Sequence, residues 1–152
     1  MNIEEVFPHV LGLIEADPLC SPVPRISELD LEFETKYEAA LADKGMAFVL
    51  MGQDGVPVSG NTGDLLDLDN GVMLSVVERR KGNTTGAVAL VWVRRLLRLL
   101  HRNRAGAAGR VVTRHPARGP AYSLGHRGQG LVIYFVHLEV RSIEPVGALP
   151  AP

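Results

Sequence analysis

An α+β domain is predicted for this chain. Its sheet is mainly antiparallel, two principal helices pack on one face, and a long arm precedes the last strand. Three observations carry that expectation. Apolar runs of strand length occur at 46–51, 72–78 and 131–140. Apolar residues recur at three- and four-residue spacing in 3–16 and 84–103, the signature of helices with one buried face. The order helix, loop, short helix, strand, strand, helix, arm, strand groups the strands rather than alternating them with helices, which favours an antiparallel sheet.

The elements follow from local chemistry. Asn2 can cap a helix from Ile3 to about Ala16, with Val6, Val10, Leu13 and Ile14 inward; Pro8 falls early enough to be tolerated. Asp17-Pro18 ends it, because the residue before a proline is driven out of the helical region. Prolines 18, 22 and 24 make 18–31 an extended loop, with an edge strand near 25–31. A short helix over 34–44 puts Tyr37, Ala40 and Leu41 inward and stops at Gly45. The strand at 46–51 leads to a turn at Gln53-Asp54-Gly55, and 56–64 reads as a loop. Residues 65–68 approach the second strand, 72–78, whose apolar run suits a central position under helices.

The longest helical pattern spans 84–103. Thr84 or Thr85 is the expected N-cap, and Ala89, Val93, Leu96, Leu97 and Leu100 form the buried stripe. Arg95, Arg98 and Arg102 share another face, near the helix end where cations suit the dipole. Eight glycines or prolines make 103–130 an extended loop or arm, in which 111–113 can pair with 122–124 as a hairpin. The last strand, 131–140, can continue through 141–144. Residues 1–145 then form one domain, and 146–152 a flexible tail.

A chain of 152 residues, 46% hydrophobic and 22% charged, is long and apolar enough for a folded core. Cys20 is the only cysteine, so no intramolecular disulfide can form, which is compatible with a reducing cytoplasm. The acidic start Met-Asn-Ile-Glu-Glu is unlike a secretory signal. No apolar run reaches the roughly 18–20 residues of a membrane span, so no membrane partner is expected.

The net charge of −1 hides a sharp division. Residues 1–78 hold 15 acidic and 3 basic side chains, a balance of −12; residues 79–127 hold 12 basic and no acidic ones. Such a split is what self-complementary electrostatics requires, within one subunit or between neighbours.

Catalytic chemistry is sparse. His101, His115, His126 and His137 lie eleven or more residues apart, without the close ligand pairs of zinc sites. There is no Gly-x-Ser-x-Gly elbow, and Ser75 lies inside a strand. Gly82-Asn83-Thr84-Thr85-Gly86 joins a strand to a helix but lacks the Lys of a P-loop. Asp64, Asp67 and Asp69 lack the distal Glu of a calcium loop. Neither an enzyme nor a cofactor is expected. The alternative with chemical support is a small nucleic-acid-binding protein, because nine arginines and no acid lie between Arg94 and Arg127. Few aromatics accompany them, and the acidic first half would repel a polyanion, so DNA contact is not favoured.

The element order, with strands Ala47-Phe48-Val49-Leu50, Met73-Leu74-Ser75-Val76-Val77-Glu78 and Tyr134-Phe135-Val136-His137-Leu138-Glu139-Val140 and a helix ending Leu96-Leu97-Arg98-Leu99-Leu100-His101, resembles that of tailed-phage tail terminator and tail-completion proteins, including the Mu-like tail protein group. The resemblance covers most of 1–144 and rests on pattern and order; the Arg/Gly/Pro arm departs from it. It implies a structural homo-oligomer, a ring that is commonly hexameric, binding tail-tube or head-connector proteins. Such a protein would occupy the cytoplasm during assembly and then the virion tail. A ring needs unlike patches that meet between neighbours. The expected patches are Arg95, Arg98 and Arg102, or the arm residues Arg110, Arg114 and Arg118, against Asp64, Asp67 and Asp69 of the next subunit.

Overall fold

Residues 1–58, 65–105, 110–145 and 147 are described by the structure, a computed structural model. The chain runs α1 (Ile3–Glu15), β1 (Arg25–Ser27), α2 (Phe33–Lys44), β2 (Met46–Pro57), β3 (Leu65–Arg79), α3 (Ala89–Leu100), β4 (Asn103–Ala105), β5 (Arg110–Arg114), β6 (Tyr122–Gly128) and β7 (Leu131–Pro145). The fold is α+β. The sheet order is β1-β2-β3-β7-β5-β4, with β6 also paired to β7. Only the β1–β2 pairing is parallel among the described residues.

The antiparallel pair β3–β7 is the spine, matched from Leu65↔Pro145 to Arg79↔Leu131 without a register shift. Period-two alternation sends Val72, Leu74, Val76, Val132, Tyr134, Val136, Leu138 and Val140 to one face. There they pack with Val6, Val10 and Ile14 of α1 and Val93, Leu96 and Leu100 of α3. The two principal helices thus share one face, as expected. The opposite face carries a smaller core, in which Ala40 and Leu41 of α2 cover Ile26, Ala47, Val49 and Val77.

Asn2 caps α1 through a reciprocal capping box with Glu5, and Gly45 ends α2 in the left-handed conformation. Only glycine fits at 45: φ is +66°, and a Cβ there would lie 2.3 Å from the Gly82 carbonyl carbon.

Three local expectations are corrected. The turn at Gln53-Asp54-Gly55 does not form; β2 continues to Pro57 because β3 offers partners for it, and a bulge between Gly52 and Asp54 absorbs the extra residue. The third helix starts at Ala89, not at Thr84, and neither threonine caps it. Asn83 instead accepts hydrogen bonds from the Thr85 amide and hydroxyl at 2.9 and 2.6 Å, which folds 83–87 into a loop. The segment 111–113 does not pair with 122–124: β6 turns back on β7 as a hairpin closed at Gly128↔Leu131, and β5 joins the same edge of β7 further along, at Thr113↔Val140 and Arg114↔Glu139. Within 103–130, residues 103–105, 110–114 and 122–128 are therefore strands of the sheet, and 115–121 form a loop between β5 and β6. Of the expected loop at 56–64, residues 56–57 belong to β2 and 59–64 lie outside the described residues, as does the tail except Gly147.

The start of α3 is capped from a distance. Glu78, fully buried at the end of β3, accepts from the Ala89 amide (3.0 Å), Arg80 Nε (2.9 Å) and Asn83 Nδ2 (2.7 Å). A charged acceptor for one of the orphan amides of the first turn replaces the missing Ser/Thr cap. Glu78→Gln is expected to cost about 2 kcal/mol in urea unfolding, since an amide nitrogen would then face these donors. Hydrogen exchange at the Ala89 amide should accelerate more than exchange in α1.

Candidate functional site: a groove along the third helix

The loop 17–24 lies alongside α3 and leaves a groove of about 840 Å³ between them. Two guanidinium groups hold the loop in place. Arg95 of α3 grips Asp17 with two bonds, Nε to Oδ2 at 2.5 Å and Nη2 to Oδ1 at 2.6 Å. Arg25 of β1 reaches the loop from the other end, its Nη1 donating to the carbonyls of Ser21 (2.8 Å), Val23 (2.9 Å) and Cys20 (3.4 Å). Pro18, Pro22 and Pro24 and the backbone bonds Ser21 to Asp17 and Val23 to Cys20 shape the loop, and the two cations tie it to both neighbouring elements.

The groove floor is apolar, built from Leu19, Val23, Val91, Trp92 and Leu99. Trp92 is set edge-on to Phe48 at 5.8 Å and donates its Nε1 to Thr85 Oγ1 at 3.0 Å, so its ring is locked. Leu19 and Val91 remain 60% and 56% exposed, an apolar strip open to solvent. Lys44, Arg94 and Arg98 line the same groove. Val91, Arg94, Arg95, Arg98 and Leu99 follow helical spacing, so one face of α3 presents both the apolar strip and the cations.

The Arg95 hydrogen bonds, opposed by burial, hold the Asp17 carboxyl far below the usual carboxylate range. Burial, followed by the hydrogen bond and charge of Asp17, pushes the Cys20 thiol up to about 12. The side chain is fully buried within the loop, an environment that disfavours the thiolate.

The sequence-predicted charges are distributed differently from the expectation. Arg95 is committed to Asp17 in the same chain. Arg98 lines the groove. Arg102 does not share their helical face, because α3 ends at Leu100 and Arg102 turns away with φ 57°. Asp69 pairs with Arg114 (3.2 Å) and Arg141 (3.7 Å), and Asp67 pairs with Arg141 (3.1 Å), all within the chain. Arg114 also holds Glu139 at 2.9 Å. Arg114, Arg118 and Asp69 meet around a second, more polar hollow of about 460 Å³, with Asp54, His137 and Glu139. Asp64 lies outside the described residues, and of Arg110 only the backbone is described, in β5.

Asp17, Arg25, Leu19 and Val91 escaped sequence reasoning. A helix-ending Asp-Pro with an arginine a few residues beyond the proline loop was the available signal, but the partner Arg95 is 78 positions away. Among the described residues no group of three His, Cys, Asp or Glu side chains could hold a metal ion. No described helix is long and apolar enough to cross a membrane. Compared with known proteins, the chain matches no family model and no curated protein sequence.

Linkage gives both limbs of a stability profile. A carboxyl depressed in the folded state stabilises above its unfolded value, so stability should fall as pH drops below about 4. A thiol raised in the folded state stabilises below its unfolded value, so stability should also fall as pH rises above about 9. Urea midpoints across pH should show Asp17→Asn flattening the acid limb and Cys20→Ala flattening the alkaline one.

Proposed function

We propose that the protein is a structural component of a phage or prophage tail, which terminates or completes the tail tube as an oligomeric ring and binds tube or head-connector proteins. The observation that carries this reading is the groove on α3. Its walls are held by an ion pair with one buried carboxylate and by hydrogen bonds, its floor is apolar, and its rim is cationic. A preformed open groove of this kind suits a protein segment, because little ordering accompanies docking. The α+β architecture, with two helices on one face of an antiparallel sheet, agrees with the element order on which the resemblance rests.

Two features weigh against the nucleic-acid alternative. Arg95 and Arg114 are engaged by acids of their own chain, and Asp54, Asp69 and Glu139 surround the arginines of the second hollow. The acid-free run in the sequence is therefore not an acid-free surface. Assembly would take place in the cytoplasm, with the product in the virion tail.

Sedimentation across a salt series should show species larger than the monomer that dissociate as salt rises, together with binding to a tail-tube protein. A monomer at every salt concentration that binds no tube protein overturns the proposal. A salt-dependent shift of duplex DNA, lost when Arg110, Arg114 and Arg118 are replaced, would support the alternative instead.

A further inference from the structure

The turn after β1 is an unusual surface feature. Residues 28–32 read Glu-Leu-Asp-Leu-Glu; Leu31 is completely exposed and Leu29 is 48% exposed. The turn is nonetheless well fastened. Asp30 Oδ2 accepts from the Ser27 amide at 3.1 Å, the Asp30 amide donates to the Ser27 carbonyl at 3.0 Å, and Lys36 holds Asp30 Oδ1 at 2.6 Å. The Gly52 amide donates to Glu28, tying the turn to β2. A leucine displayed on a fastened turn gains nothing from its own fold, and the charges around it are acidic on balance: Lys36 is spent on Asp30, while Glu32 and Glu34 form no ion pair among the described residues.

We infer that this turn inserts into the α3 groove of a second copy of the chain, with Leu31 on the strip formed by Leu19, Val91 and Trp92. The acids of the turn then face Lys44, Arg94 and Arg98, which likewise form no ion pair among the described residues. An acidic apolar knob and a cationic apolar groove are complementary in both hydrophobicity and sign. Both are fastened beforehand by their own hydrogen bonds, which lowers the ordering cost of joining them. They are different patches of one surface, so the contact is head-to-tail: each subunit offers a knob to one neighbour and a groove to the other. The inference rests on the self-assembling reading above and identifies the surfaces that build the assembly. It replaces the expected contact to Asp67 and Asp69, which are paired within their own chain.

Two single-cysteine proteins test it, Leu31→Cys and Val91→Cys, each in a Cys20→Ala background. Under mild oxidation the mixture should give a disulfide-linked dimer and neither protein alone should. A dimer from Leu31→Cys alone, or none from the mixture, overturns the inference. Charge reversal is the second arm. Arg94→Glu with Arg98→Glu should weaken assembly by at least about tenfold in sedimentation, and mixing with a Glu32→Arg, Glu34→Arg protein should restore a heterotypic dimer, circular dichroism confirming that both are folded. If the reversed groove leaves assembly unchanged while tube binding persists, this contact is wrong and the ring reading survives. If the cross-link and charge rescue succeed but no tube protein binds, the head-to-tail contact stands and the tail assignment falls.

Discussion

The Glu78 carboxylate is the point on which the architecture turns. It sits where β3 ends, fully buried, and it takes donors from the connector at Arg80 and Asn83 and from the first residue of α3. An ion in the interior is tolerated only when its oxygens are occupied, and three donors occupy these. The consequence is geometric. The N-terminus of α3 is fixed to the end of the central strand, so the helix crosses the sheet at a set place and its outer face is aimed at the loop 17–24. Gly45 reinforces the same corner: the Arg79 amide donates to its carbonyl at 2.9 Å, and the Thr84 amide donates to the Lys44 carbonyl at 3.0 Å.

Charge does two kinds of work in this chain. Part of the acidic first half and basic second half meets internally: Asp17 with Arg95, Asp69 with Arg114, and Asp67 with Arg141. These pairs join segments distant in sequence, and the Asp17 pair shapes a groove wall. Exposed pairs of this kind add little stability, whereas a pair with one carboxylate buried resists removal of either partner. What remains is uneven. Among the described residues Lys44, Arg94 and Arg98 beside the groove and Glu32 and Glu34 beside Leu31 form no ion pair, each group lies next to exposed apolar carbon, and these charges give the surface its polarity.

The helices and strands were legible because their signals are local. The capping box at Asn2, the glycine stop at Gly45 and the alternating apolar positions of 131–140 all act within a few residues. The misread places share a cause: a pairing or capping partner outside the segment itself prevailed over its own propensity. Thr84 and Thr85 are good caps by themselves, yet Glu78 captures the helix start. Gln53-Asp54-Gly55 is a good turn by itself, yet β3 supplies a ladder that carries the strand through it. The glycine- and proline-rich stretch before the last strand reads as a detached arm, yet β7 has an edge to fill, and β5 and β6 fill it.

By itself, then, the sequence determined the fold class, the identity of the two core-covering helices, the three main strands and the opposed charge blocks, since these follow from periodicity and composition. Only the tertiary structure decided which charges cancel and which stay available, and that a groove exists beside α3. Ion pairing depends on distance in space, and Asp17 and Arg95 are brought within 2.6 Å by a sheet and two helices that no local pattern describes.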